Sequence, residues 1–338
     1  MEIKTFTHDM VDGWSAPFPD WDSDRTLVVV FGAPEYRDDQ LGLKEIVEAY
    51  PSSHVVGCST AGEIHGRVIR DRSLAVAVAR FDATRVASTW TSIDQSTQSF
   101  AAGSAIGRNL MADDLKAVIV LSEGVGINGT DLVKGLTRTL PEHVVVTGGL
   151  AGDGDRLEST WILADGVLRT GAAAAVGLYG DLVDVRYGSK GGWDIFGPER
   201  LVTHSVGNVL YELDGRPALD LYTEYLGDLA ASLPSSGLLF PLSIRQHGDT
   251  KGLVRTILGV DHDDRSLTFA GDVPTGTYAR LMQANFDRLI DGAGEAALQT
   301  GIESSSRPTL SLAISCVGRR LLLGDRTEEE VEATLDVL

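Results

Sequence analysis

"VVGCSTAGEI", Val55 to Ile64, contains three stretches with different physics. Val55 and Val56, entered from His54, are a short β-branched run and read as a buried strand. From Gly57 to Gly62 every residue is small, so the backbone leaves that strand in a tight turn with its N–H groups unobstructed. Glu63 then sets a carboxylate directly after the turn. Backbone donors, the hydroxyls of Ser59 and Thr60, the Cys58 thiol and an acid at a strand end together suit a small ligand. The same residues equally suit a tight turn between strands that only permits close packing.

The stretch is repeated. Shifted by 90 positions, "LVVVF" from Leu27 falls on "AVIVL" from Ala117, and Pro51 falls on Pro141. Val55-Val56 falls on Val145-Val146, and "AGE" ending at Glu63 falls on "AGD" ending at Asp153. A strand, a helix-ending proline and a small turn at one offset point to two copies of one unit: strand, helix, strand, small turn ending in an acid, strand. Pseudo-symmetry between the copies is expected to aim Glu63 and Asp153 at one region.

"VVGCSTAGEI", "VVVTGGLAGDG", "GGWDIFGPERLVTHSVGNVLYELDGRPALDLYTEYLG" and "LAISCVGRRLLLG", in that order, resemble the FIST sensory domain with its N-terminal and C-terminal parts. The resemblance runs from about Asp24 to the last residue. It implies a ligand-binding input module of prokaryotic signal transduction, with amino acids among its proposed ligands. It divides the chain into an arm (1–23), a FIST N-type domain with the internal duplication (24–205) and a FIST C-type domain (206–338). Members of the family continue beyond the last helix into a second glycine–acid turn. The C-terminal part is therefore expected to lack its usual tail.

Composition bounds the class. A chain of 338 residues with 43% apolar residues can fill two substantial cores. A net charge of −19 argues against nucleic acid and anionic membrane surfaces, where basic patches supply the affinity. Cys58 and Cys316 form neither a disulfide framework nor a zinc pattern, and suit a reducing cytoplasm. "MEIKTFTHDM" lacks a basic region followed by an apolar one, so no signal peptide is expected. Apolar runs such as "LAVAVA" are strand-length, far below the roughly 20 residues that span a bilayer.

Along the chain, "WSAPFPDWDSD" reads as an extended arm that packs its aromatic residues onto the body. Asp165-Gly166 predicts a hairpin turn. Short strands with glycine turns are expected from 182 to 215, and a helix from Pro217. "TGTYARLMQANFDRLIDGAGEAALQTGI" is expected to be the longest helical stretch. "TLSLAISCVG" resembles the first strand of the unit, and Thr327 with Glu330 predicts a capping box on the last helix. The fold class is mixed α/β: repeated strand–helix–strand units on mixed sheets flanked by helices, two pseudo-repeated N-terminal units and a C-terminal α+β part.

The chemistry is weighed residue by residue. Cys58 as a nucleophile requires a base, and nothing fixes His65 or His204 near it; a small buried cysteine lining a pocket is the preferred reading. "GVGING", Gly124 to Gly129, matches a dinucleotide fingerprint between strand and helix. Its helix begins only after the last glycine, and no acid closes the next strand. Trp193 in "SKGGWDIFGP" reads as a pocket wall or as a cap between domains. Arg255, mid-strand among apolar residues, reads as paired or facing a pocket. Arg319 and Arg320 read as an anion site at a strand end or as solvated. The histidines show no ligand spacing, so no metal site is expected. A haem held by one histidine, as in a haem-based gas sensor, leaves no such signature.

The ligand set expected for an amino acid is Glu63 and Asp153 for the ammonium, Arg255 for the carboxylate, Ser59 and Thr60 as hydrogen-bonders, and Cys58 and Trp193 as lining. No catalytic residue is assigned; a Cys58-dependent hydrolase or acyltransferase is the alternative. Output is expected to pass to a separate signalling protein such as a kinase or cyclase, within the cytoplasm.

Overall fold

A computed structural model of the chain describes all residues except 250–251 and 303–307. Strand β1 (Glu2–Asp9) pairs along its length with β7, and β2 (Gly13–Trp14) folds back on its end. The aromatic residues of the expected arm do pack onto the body. Trp14, Phe18 and Trp21 cover Phe6 and Tyr50, and the Tyr50 hydroxyl donates to Pro19 O at 2.8 Å.

The duplicated unit is present. Its first copy is β3 (Thr26–Gly32), α1 (Leu41–Ala49) and β4 (His54–Ser59), with β3 and β4 parallel. A small hairpin, β5 (Glu63–His65) and β6 (Val68–Arg70), then leads into β7 (Ser73–Arg80) and β8 (Arg85–Ser92). After α2 (Ser99–Leu110) the second copy follows as β9 (Leu115–Ser122), α3 (Gly129–Thr139) and β10 (Val145–Leu150), again parallel. The hairpin β11 (Ile162–Ala164) and β12 (Val167–Arg169) turns at Asp165-Gly166, whose φ values of 51° and 69° are those of a tight primed turn. Strand β13 (Ala172–Tyr179) is buried throughout, its alanines small enough to be covered on both faces.

These strands form two sheets packed face to face. One has the order β12-β11-β4-β3-β7-β1-β2, the other β10-β9-β13-β8. Leu27, Val29 and Val56 of the first meet Ile119, Val176 and Leu178 of the second. Val28 and Val30 face outward to α1, and Val118 and Val120 outward to α2 and α3. The result is four layers, helix–sheet–sheet–helix, with both copies presenting the same strand face to their helix.

The copies differ in register. Val28 pairs with Val55, whereas Val118, 90 positions after Val28, pairs with Val146, 91 after Val55. Four residues (50–53) join α1 to β4, and five (140–144) join α3 to β10. Two glycines fix the slip. A Cβ on Gly57 would lie 2.1 Å from Val30 O, and one on Gly148 1.8 Å from Val120 O. The structural counterpart of Glu63 is therefore Gly154, one residue past Asp153.

The third sheet is antiparallel. It takes β14 (Trp193–Val206), β15 (Val209–Leu213), the two-residue β16 (Arg216–Pro217) and, after α4 (Ala218–Leu226), β17 (Leu242–Arg245) and β18 (Leu253–Arg255). Strands β19 (Ile257–Asp261), β20 (Ser266–Phe269) and β21 (Tyr278–Ala284) complete it. The expected domain boundary at 205/206 falls inside β14. The long helix expected from Thr275 is corrected. Tyr278–Ala284 is a central strand between β14 and β17, with Ala279 and Leu281 buried on one face. The helix α5 (Phe286–Gln299) begins only at Asn285, whose Oδ1 accepts from Arg288 N. Helix-forming residue types here yield to a strand position between two partners.

The chain ends in α6 (Val317–Leu323) and α7 (Thr327–Leu335). Residues 309–316 belong to no helix or strand. The expected capping box on α7 is absent. Thr327 Oγ1 donates back to Gly324 O at 2.6 Å, and Glu330 forms a buried ion pair with Arg319 at 2.5 Å. Glu330 is engaged by Arg319 and by Ser315 Oγ, and does not reach back to the helix start.

Candidate ligand site

The turn after β4 is anchored by backbone before any side chain acts. Ser59 N–H donates to Trp161 O at 2.9 Å and Thr60 N–H to Gly32 O at 2.8 Å. Ser59 Oγ accepts from Trp161 N–H at 3.1 Å and its carbonyl accepts from Gly152 N–H at 2.9 Å. Ser59 is wholly buried and therefore stitches the first turn to the second. Gly152 lies against Ala61 and against Val317 at the start of α6, so both turns and α6 meet at one place.

Glu63 is 1% exposed at that junction. Thr60 Oγ1 donates to its Oε1 at 2.7 Å; Ser73 N–H and Oγ donate to Oε2 at 3.2 and 2.9 Å. Burial pushes the carboxyl up to about 7, against those hydrogen bonds and the nearby Arg320 guanidinium, which favour the charge. Arg320 lies flat on Gly62, where a Cβ would come within 1.8 Å of its Nη1; Gly62 has φ +144°. Its Nη2 donates to Asp71 Oδ1 at 2.6 Å, and Asp71 is 74% exposed. Behind the turn, Tyr36 shares a 2.7 Å hydrogen bond with His8 Nδ1. Burial lowers the His8 pKa and so favours its neutral form.

Asp153 is also buried, but its carboxylate is used up. Leu157 and Glu158 N–H donate to Oδ1 and Oδ2 at 3.1 and 2.8 Å, and Ser159 N–H to Oδ2 at 2.9 Å. These bonds close the loop that follows. Cys58 is 3% exposed among Leu121, Ala151 and Ile162 between the sheets, and burial pushes its thiol up to about 12. A thiol kept protonated is a poor nucleophile.

Trp193 and Arg255 lie elsewhere. Trp193 opens β14 opposite Ala284. The glycines before it let the chain approach α5: a Cβ on Gly192 would lie 2.3 Å from Arg288 O. Arg255 Nε donates to Asp272 O at 2.8 Å, with Thr130 Oγ1 3.5 Å from Nη2. Burial lowers its pKa, opposed by Asp272. In the glycine loop before α3, Asn128 caps the helix through Asp131 N–H at 3.2 Å. Asp272 sits over that helix start, accepting from Asn128 Nδ2 at 2.7 Å while its own N–H donates to Thr130 Oγ1 at 3.1 Å. The backbone N–H groups of Gly129 and Asp131 at that helix start are thus already bonded, to Ala270 O and Asn128 Oδ1.

The FIST N domain profile matches residues 26–216, and the FIST C domain profile matches 218–338. The chain belongs to the FIST family. FIST domains are sensory domains of signal transduction. The FIST C match reaches residue 338, so the C-terminal part is present where the sequence suggested a truncation. No curated protein matches the chain. Among the described residues of this FIST protein, no helix is long and apolar enough to cross a membrane.

Sequence reasoning left Arg320 undecided between anion site and solvent, and passed over Ser73 and Asp71. Arg320 is 257 positions from Glu63 in the chain, so no local pattern links them. Glu123 was also missed. It is buried at the end of β9, accepting from Thr160 Oγ1 at 2.7 Å and Gly171 N–H at 2.9 Å.

Proposed function

We propose that this FIST protein is a sensory domain that binds a small ligand carrying an amine and a carboxylate, an amino acid being the simplest, at Glu63 and Arg320. The observation that carries the reading is the buried Glu63, its carboxyl pushed up to about 7, beside a guanidinium whose one side-chain partner among the described residues is an exposed aspartate. Exposed ion pairs contribute about 0–1 kcal/mol, so exchanging Asp71 for a ligand carboxylate costs little. With Arg320 turned outward, Glu63 takes the ammonium and Thr60 supplies a hydroxyl. Arg320 thereby takes the role the sequence gave to Arg255. The output passes to a separate signalling protein, and Cys58 lines the core without a catalytic part.

Calorimetric titration with a panel of amino acids tests this. Glu63→Gln and Arg320→Gln should each weaken the best ligand by about ten- to a hundredfold, the range of one charge-assisted hydrogen bond. Affinity should rise from pH 5.5 to 8 as Glu63 ionises, and the rise should vanish in Glu63→Gln. Equal affinity in all three proteins, or no binding by any amino acid, would sink the reading.

A further inference from the structure

We propose that residues 310–315 are a strap that swings out of the gap between the two N-terminal sheets. Leu310 and Leu312 alternate inward with Ser311 and Ala313 outward, a strand's pattern. Leu310 and Leu312 pack with the inter-sheet core, and Ile314 rests on Gly149 of β10, 3.0 Å from where a Cβ would stand. Leu312 and Ile314 also border a residual apolar cavity of about 10 Å³ with Val29, Phe31 and Ile119, roughly the room of one water.

The strap is held differently from every strand around it. No backbone hydrogen bond ties residues 310–315 to the described residues, although β10 beside it is an edge strand. Among the described residues its one polar tether is Ser315 Oγ donating to Glu330 Oε2 at 2.9 Å. Ile314 remains 52% exposed. Swinging the strap out therefore breaks apolar contacts and leaves the described ladders whole, which places it at the low-stability end of the molecule. Those contacts nonetheless involve the inner faces of both sheets, so the move opens the gap between them.

The strap runs directly into α6. Cys316 is that helix's N-cap, Val317 touches Gly152, and Arg320 covers Gly62. Strap position and the cover over Glu63 are thus separated by four residues, Cys316 to Arg319. That link to Glu63 rests on the ligand-site reading above; the strap's motion does not.

The test is native-state proteolysis with chymotrypsin, the cut located by mass spectrometry. A chain must leave its packing to enter a protease cleft, so cleavage after Leu310 or Leu312 reports the swing. In the unaltered protein, cutting there should proceed at a rate independent of urea below the unfolding transition. In Gly149→Cys/Ile314→Cys/Cys316→Ser, a disulfide across the contact should slow that cut at least about tenfold, and reduction should restore it. Cutting that tracks global unfolding in urea overturns the proposal, as does equal cutting of the oxidised and reduced forms. Because the unaltered protein carries the first arm, a variant that fails to fold leaves the proposal decided. Loss of amino-acid binding with the urea-independent cut intact would sink the ligand reading alone.

Discussion

Glu63 and Asp153 show how much one residue's surroundings decide. Both follow an Ala-Gly turn and both are buried. Asp153 accepts three loop N–H groups and stabilises its own loop, whereas Glu63 relies on two hydroxyls and one N–H, and burial dominates its titration. The folded carboxyl at about 7 lies above its ordinary 4.5, so the folded protein holds a proton that the unfolded chain releases. Its contribution to stability is therefore fully present below pH 4.5 and is lost as pH rises through 7. The full shift corresponds to about 3 kcal/mol at most. Urea denaturation of wild type and Glu63→Gln from pH 4.5 to 8 should show wild type losing up to that amount relative to the variant. Parallel profiles would mean that Glu63 stays ionised in the fold. The acid and its turn were legible because a glycine turn ending in a carboxylate is a local pattern. Arg320 was not, because its place on Gly62 depends on the packing of a distant helix.

At the scale of elements, matching the chain against itself at an offset of 90 identified the repeated units, and the Asp165-Gly166 dipeptide identified the hairpin. Periodicity failed where two elements share residue types. In Tyr278–Ala284, alternating burial between two neighbouring strands overrides helical composition, and no window of sequence contains those neighbours. Residues 310–315 carry strand alternation without belonging to a strand, although the edge strand β10 lies beside them. The register slip between the copies was equally hidden, since one extra residue before β10 leaves the motif "AGD" in place while setting its acid one residue short of the counterpart of Glu63. Gly57 and Gly148 hold that register by sitting on the carbonyls of Val30 and Val120. Gly148→Ala should be among the most damaging single changes in the chain. Its φ of +145° is strained for alanine, and the carbonyl in the way is backbone that cannot turn aside. A loss of at least about 3 kcal/mol, or failure to fold, is expected. The control is Gly126→Ala, where nothing lies within 4 Å of the added carbon. Circular dichroism melting of the two variants should separate them; similar melting temperatures would show that β10 can shift register.

For the whole molecule, the question is what holds the third sheet on the two N-terminal sheets. One answer is the set of contacts at the start of α3. Gly129 N–H donates to Ala270 O at 3.0 Å, Asn128 and Thr130 bind Asp272, Lys134 pairs with the same carboxylate, and Arg255 holds its carbonyl. Asp272 thus sets a negative charge near the start of α3, from a different part of the chain, through the Asn128 side chain and Lys134. Sequence could name "GVGING" and Arg255 as unusual, but it could not bring them together, because their meeting depends on how the third sheet docks. Asp272→Asn keeps the shape and the bond to its main chain while removing the charge that Asn128, Lys134 and the helix start face. One buried hydrogen bond to a charged group contributes about 1.5–3 kcal/mol, and that much coupling between the parts should disappear. A loss confined to one part would leave unfolding cooperative, whereas a loss of coupling should split it. In urea, wild type should therefore unfold in one transition by tryptophan fluorescence and by far-ultraviolet dichroism. Asp272→Asn should show two midpoints, the lower one belonging to the third sheet. Asp272→Asn with coincident transitions at the wild-type midpoint would show that the parts are held elsewhere, with the Arg320 contact on Gly62 as the next place to cut.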